Sequence, residues 1–180
     1  MDQFNPIKGV QYFKVNKSHD SRGFFCKTYS NDAVSAKPMN IAESFFTFTR
    51  KGVIRGMHLQ IKQSASDRVV SVIKGRIFDV LVDLRENSPT FTAINIRELN
   101  CKDVGSVFIP SGVAHGFQAL DESITHYISS KTYNKELDVG VSVNSINVEW
   151  PLPNPKISDR DLSLPDLKSF LLNEFGTKLL

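Results

Sequence analysis

Apolar and polar positions alternate with a period of two through most of this chain, and helical periodicity surfaces convincingly only near its end. Residues 9–15, Gly-Val-Gln-Tyr-Phe-Lys-Val, form a β-branched and aromatic run that predicts a strand, stopped by the polar stretch Asn16-Lys-Ser-His-Asp-Ser21. Residues 23–29 and 40–49 restart the pattern, and Arg50-Lys-Gly52 closes the second of these runs. Residues 69–74 and 77–84 flank Lys74-Gly75-Arg76, which reads as a tight hairpin. In the second arm Phe78, Val80, Val82 and Leu84 share one face and Asp79 and Asp83 the other. With Arg85, these two carboxylates read as a charge pattern at a strand edge. Further strands are predicted over 93–99, 106–109, 116–120 and 124–129, separated by turn residues at short intervals. Such a series is the signature of an antiparallel sandwich or barrel. Trp150-Pro-Leu-Pro-Asn-Pro155 cannot enter a central sheet. Residues 165–175 space their apolar side chains along one helical face, with Pro165 suited to begin it.

Composition narrows the class without naming a function. A length of 180 residues suits one domain, expected over 1–180, with room for a sizeable core. A net charge of +3 with no dense Lys/Arg cluster argues against a nucleic-acid footprint. The first residues lack the basic and apolar regions of a signal peptide, and no apolar run approaches the roughly 20 residues that span a bilayer. No membrane partner is therefore expected. Cys26 and Cys101 have neither CxxC spacing nor zinc-type companions, which suits reduced thiols in a cytoplasmic protein.

The stretch with most chemistry is Gly52-Val-Ile-Arg-Gly-Met-His-Leu-Gln60. Strict alternation would put Arg55 and His58 on opposite faces of a strand. For both to enter one cavity the chain must bulge, and Gly56 is the residue that would permit it, so a bulge is predicted over 54–57. A second histidine lies in Ile109-Pro-Ser-Gly-Val-Ala-His-Gly-Phe117. A Pro-x-Gly-x-x-His turn entering a strand resembles a motif of the cupins, jelly rolls whose histidine points into the barrel. Metal-binding cupins carry a His-x-His pair and a Glu in their earlier motif, where this chain has His58-Leu-Gln60. His58 and His115 alone give too few nitrogen ligands, so no metal and no other cofactor is expected.

A wider pattern is more specific. Asp20-Ser-Arg-Gly-Phe-Phe25, Val53-Ile-Arg-Gly-Met-His-Leu-Gln60, Gly75-Arg-Ile-Phe-Asp-Val-Leu-Val-Asp-Leu-Arg85 with Ser88-Pro-Thr-Phe91, Ile109 to Phe117 and Ile157-Ser-Asp-Arg-Asp-Leu-Ser-Leu-Pro165 occur in this order. Together they closely resemble the dTDP-4-dehydrorhamnose 3,5-epimerase family. The resemblance runs from Arg22 to Pro165. It implies a mainly β, cupin-type double-stranded β-helix or jelly roll with a short C-terminal helix. It also implies a homodimer in which the early strands pair with the second subunit and Arg22 reaches into the neighbour's site.

The implied substrate is a nucleoside-diphosphate 4-keto-6-deoxy sugar, epimerised at carbon 3, carbon 5 or both. A ketone at carbon 4 acidifies the hydrogens at carbons 3 and 5, so inversion needs a base on one face, an acid on the other and a group that stabilises the enolate. By position His58 matches the family's base, Asp161 the carboxylate that orients it, and Tyr127 the acid. Arg22 and Arg55 match cations that hold the diphosphate, and His115 matches a second active-site histidine. Phe25, Lys27 and Arg68 complete the expected substrate-binding set.

Each of these has a plainer reading. His58 also reads as a satisfied core histidine, Tyr127 as a buried tyrosine bonded to backbone, and Asp161 as a loop carboxylate or the partner of Arg160. His19 and His126 carry no motif support.

Four positions depart from the family pattern. Arg68 stands where a lysine is usual, Lys27 where a glutamate contacts the base, Phe45 at an asparagine position near the same subsite, and Thr132 where a tyrosine is common. The changes at Lys27 and Phe45 raise the expectation of a CDP or GDP carrier in place of dTDP. The alternatives kept open are a ketoisomerase or single-centre epimerase on the same scaffold, and a non-catalytic sugar-nucleotide binding module.

Overall fold

The computed structural model describes residues 6–14, 16–30, 32, 39–103 and 105–175. Its strands are β1 (Gln11–Phe13), β2 (Asn16–Asp20), β3 (Gly23–Lys27), β4 (Glu43–Thr49), β5 (Ile54–Gln60), β6 (Arg68–Lys74), β7 (Arg76–Asp83), β8 (Ile94–Asn100), β9 (Ser106–Ile109), β10 (Val113–Ala119), β11 (Ser123–Ser129) and β12 (Asp138–Gly140). One sheet runs β1-β9-β6-β11-β4, the other β12-β5-β10-β7-β8, and β2 and β3 form a separate ribbon. The pairings between these strands are antiparallel. Two short helices follow, α1 (Asp159–Leu162) and α2 (Leu167–Phe175).

Alternation explains how the layers stack. Val70, Val72, Val107 and Tyr127 of the first sheet meet Ile77, Leu81, Val113 and Phe117 of the second in one core. Each such side chain, fully buried, contributes about 1.5–3 kcal/mol. The second sheet is apolar on its other face too. There Ile54, Met57, Val80 and Val82 pack under Val141, Val143 and Ile146 and under Phe170 and Leu171 of α2. The result is the cupin-type jelly roll with a short C-terminal helix that the sequence led us to expect.

Several local expectations are corrected. Residues 74–76 do not close a hairpin, because β6 belongs to the first sheet and β7 to the second. Both arms turn apolar residues toward the same interior, so the chain folds over the core and the arms never pair. The polar segment after β1 does not break the strand pattern. It forms β2, held by its register with β3 from Asn16↔Lys27 to Asp20↔Gly23 and needing no apolar propensity of its own. Val15 lies outside the described residues. β10 begins at Val113, earlier than expected, because its first residues pair with the end of β7. Asp79 and Asp83 do not sit at an edge. β7 lies between β10 and β8, and both carboxylates are 0% exposed.

The bulge is present. His115 pairs with His58 and Phe117 with Arg55, so Gly56 and Met57 together face Gly116. The extra residue returns Arg55, His58 and Gln60 to the interior, while Ile54, Met57 and Leu59 pack outward. Gly56 has φ +130°, and a Cβ there would lie 2.4 Å from the Gly116 Cα and 3.0 Å from the His115 carbonyl oxygen. Gly52 has φ +81° and open space around it. Urea unfolding should therefore separate the two. Gly52→Ala should cost only the left-handed backbone term, about 1–2 kcal/mol. Gly56→Ala should cost about 3 kcal/mol or more, since strain and collision act together.

Candidate active site

Between the sheets lies a cavity of about 300 Å³, lined among others by Arg55, His58, Arg68, His115, Tyr127 and Asp161. Its mouth follows the seam where β4 ends one sheet and β5 approaches from the other. Arg55 straps that seam, its Nε–H donating to Thr49 Oγ1 at 3.0 Å and an Nη2–H to the Phe48 carbonyl at 3.4 Å.

Asp161 is brought in by local cues. Ser158 caps α1, its Oγ accepting from the Asp161 N–H at 3.2 Å. Just upstream, the Ile54 N–H donates to the Lys156 carbonyl at 2.9 Å and zips this segment against the start of β5. The buried carboxylate then accepts twice: from His58 Nε2–H at 2.8 Å and from the Gly56 N–H, inside the bulge, at 3.2 Å. Burial opposes its ionisation, but the hydrogen bonds from His58, Gly56 and Ser158 outweigh that and hold Asp161 below the usual carboxylate range. With Nε2–H given to Asp161, Nδ1 carries the lone pair that can take a proton.

His115 is the cross-strand neighbour of His58 and makes a second pair of the same kind, donating Nε2–H to Asp79 Oδ1 at 2.7 Å. Asp79 is the residue that the sequence reading missed. Its signal was available: β7 carries apolar residues on both faces, the mark of a central strand, and a carboxylate there must be buried and partnered.

Tyr127 enters from β11 of the opposite sheet. Burial pushes its phenol up to about 12; a Thr125 hydrogen bond and the Arg68 and Arg55 charges pull the other way, and Asp79 adds slightly to the rise. Arg68 reaches across from β6 and donates Nη2–H groups to the carbonyls of His58 at 3.2 Å and Val113 at 3.1 Å. Burial works against its charge, and its buried Nε has no partner among the described residues.

The other expected residues are elsewhere. Arg22, Phe25 and Lys27 lie on or beside the β2–β3 ribbon and do not line the cavity. Arg22 is 88% exposed and pairs with Asp20 at 2.6 Å. Phe45 lines the cavity and stacks on Tyr127. Thr132 is exposed, and the adjacent Tyr133 is the residue that lines the mouth. Arg160 pairs with Asp138, and Asp161 with His58. Among the described residues no group of three or more His, Cys, Asp or Glu side chains is placed to hold a metal ion.

An oriented imidazole, a phenol held protonated and a guanidinium, facing one small cavity in a cupin-type barrel, can together move protons at carbon. The sequence profile of the dTDP-4-dehydrorhamnose 3,5-epimerase family matches residues 5–169. The dTDP-4-dehydrorhamnose 3,5-epimerase of Shigella flexneri is 36% identical over 164 residues, covering 87% of this chain and 90% of that protein. The Bacillus anthracis dTDP-4-dehydrorhamnose 3,5-epimerase, solved with TDP and PPi bound, superposes with TM-score 0.84 at 30% identity, covering 92% of this chain and 98% of that one. The Sulfolobus tokodaii epimerase superposes with TM-score 0.81 at 35% identity, covering 88% and 90%. The chain belongs to the dTDP-4-dehydrorhamnose 3,5-epimerase family and is a sugar-nucleotide epimerase of deoxysugar biosynthesis.

Asp161→Asn tests the first pair. It places an amide where His58 needs an acceptor, and should lower epimerase activity by about 100-fold. Because the folded carboxylate is held low, its contribution to stability is full above the unfolded value near 3.9 and fades as pH falls through the lower folded value. The stability gap between wild type and Asp161→Asn, read from melts, should therefore close below about pH 4.

Proposed function

We propose that the chain inverts both carbon 3 and carbon 5 of a nucleoside-diphosphate 4-keto-6-deoxy sugar. His58 removes the proton, oriented by Asp161. The C–H electron pair moves into the enolate, and charge develops on the oxygen at carbon 4, where the Nε–H of Arg68, unpartnered among the described residues, and its guanidinium charge can meet it. Tyr127 delivers its hydroxyl proton to the opposite face of the same carbon. The phenolate then regains a proton from solvent, and His58 releases one. Arg55 takes the diphosphate at the mouth, a task suited to its planar fork.

One observation carries this reading. His58 stands on β5 of one sheet and Tyr127 on β11 of the other, so a ring lying between the sheets has a base above and an acid below. A cavity of about 300 Å³ suits a hexose, leaving the nucleotide to extend over the rim.

The same reading takes residues 1–180 as one domain of a cytoplasmic homodimer serving deoxysugar and surface-polysaccharide synthesis. Phe46, 70% exposed, and Phe48 leave the outer face of β4 apolar and uncovered. Arg22, Phe25 and Lys27 project on a ribbon away from their own cavity, as residues serving a neighbour's site would.

The test is incubation in D2O with dTDP-, CDP- and GDP-linked 4-keto-6-deoxyhexoses, followed by mass and proton NMR. Two deuteriums, at carbons 3 and 5, are expected, and the carrier that exchanges names the base. His58→Ala should slow exchange by about 100- to 10,000-fold. One deuterium would establish the single-centre alternative. Binding without exchange in the wild type would establish the non-catalytic one.

A further inference from the structure

Tyr127 does not stand alone on the wall of the cavity. Directly opposite it across the β4–β11 ladder is Phe45, and the two rings stack with centroids 4.8 Å apart and an interplanar angle of 8°. The edge of His115 meets the tyrosine from another side, with centroids 6.2 Å apart at 60°. The next pair on the same face of the ladder, Thr47 and Thr125, is closed by a 2.8 Å hydroxyl contact. Phe45 itself sits at the rim, 44% exposed, while the tyrosine beneath it is only 9% exposed. A phenylalanine so exposed does little for the core. Among the described residues, the one ring that stacks on it is the phenol.

The base is held by different groups. His58 is fixed by Asp161, and Asp161 by the bulge N–H and the Ser158 cap. None of these contacts involves Phe45.

We propose that Phe45 is a positioning residue for the reprotonation half of the reaction, its stacked ring holding the Tyr127 hydroxyl toward the sugar face opposite His58. This rests on the epimerase reading above and divides its two proton transfers between two supports. His58 breaks the C–H bond whether or not Phe45 is present. Without Phe45 the phenol swings out of line, and the enolate is more often quenched from the His58 side. In D2O the protonated imidazole exchanges with solvent and returns a deuteron to the same carbon with its configuration retained. Loss of Phe45 should thus leave deuterium wash-in and remove inversion.

Phe45→Leu keeps the apolar bulk without the flat ring, Phe45→Ala removes both, and Phe45→Tyr keeps the ring at an exposed site that tolerates a hydroxyl. Wild type and the three variants are compared in D2O on the sugar nucleotide that the wild type turns over. Total wash-in and inverted product are counted separately, KM is measured, and folding is checked by melting. In Phe45→Leu and Phe45→Ala, wash-in and KM should stay within about threefold of wild type while inverted product falls about tenfold or more. Phe45→Tyr should restore inversion to within about twofold of wild type. Inversion and wash-in falling in parallel, or inversion at the wild-type rate in Phe45→Leu, would overturn the positioning role and leave the epimerase reading intact. A wild type showing no wash-in with any carrier would overturn both.

Discussion

The site depends on one carboxylate that accepts two hydrogen bonds from adjacent parts of β5. Asp161 takes the Nε2–H of His58 and the N–H of Gly56, two residues earlier in the bulge. A buried carboxylate is costly unless donors surround it, and a bulge leaves a backbone N–H that must find an acceptor. Each answers the need of the other. The bulge that turns His58 into the cavity creates the donor that holds Asp161, and Asp161 orients the imidazole. The carboxylate arrives on a one-turn helix capped by Ser158, in the segment that leads to α2, so the packing of Phe170 and Leu171 beneath the second sheet also serves the base.

The interior is asymmetric for the same reason. Part of the interior is filled by Ile77, Leu99, Val107 and Ile109, as any sandwich core would be. Beside them lie His115 on Asp79 and an Arg68 guanidinium that donates to carbonyl oxygens. Among the described residues Asp79 Oδ2 and Arg68 Nε are buried without partners, groups whose desolvation costs stability. A core selected for stability alone would have replaced them. Arg68 lines the cavity, and its Nε–H fits a negative charge that arrives with the substrate and develops further during reaction.

Much of this was legible in the sequence because conflicts in a pattern carry information. Arg55 and His58 cannot share a face of a regular strand, and Gly56 between them located the bulge. Most strands of the two sheets followed from alternation, β12 excepted, and α2 followed from its helical spacing. What escaped was set by contacts distant in sequence. The segment 16–20 has no strand propensity and is a strand only because β3 lies beside it. Lys74-Gly75-Arg76 has the composition of a hairpin turn, and only the shared interior of the two sheets makes it a crossover. Asp79 looked like an edge charge because a single strand does not reveal its neighbours; β8 and β10 on either side bury it. The order of the motifs placed His58 and Asp161 together, whereas no local pattern could say that Phe45 would lie on Tyr127.

These differences divide the cavity into a floor and a rim. The floor is His115 with its partner Asp79 behind it, Tyr127, Asp161 and the bulge, all buried and each fixed by at least one hydrogen bond or ring contact within the barrel. The rim is Phe45, Tyr133 and Arg160, exposed and attached to the seam by few contacts. Changing a floor residue removes a partner from a buried polar group and disturbs the barrel along with the chemistry. Changing a rim residue exposes or covers what lies beneath at small cost to folding. A barrel built in this way can keep one proton-transfer apparatus while its substrate, and the fate of the enolate, are retuned from the rim. Phe45 occupies the meeting point of the two, its outer face at the mouth and its inner face on the phenol.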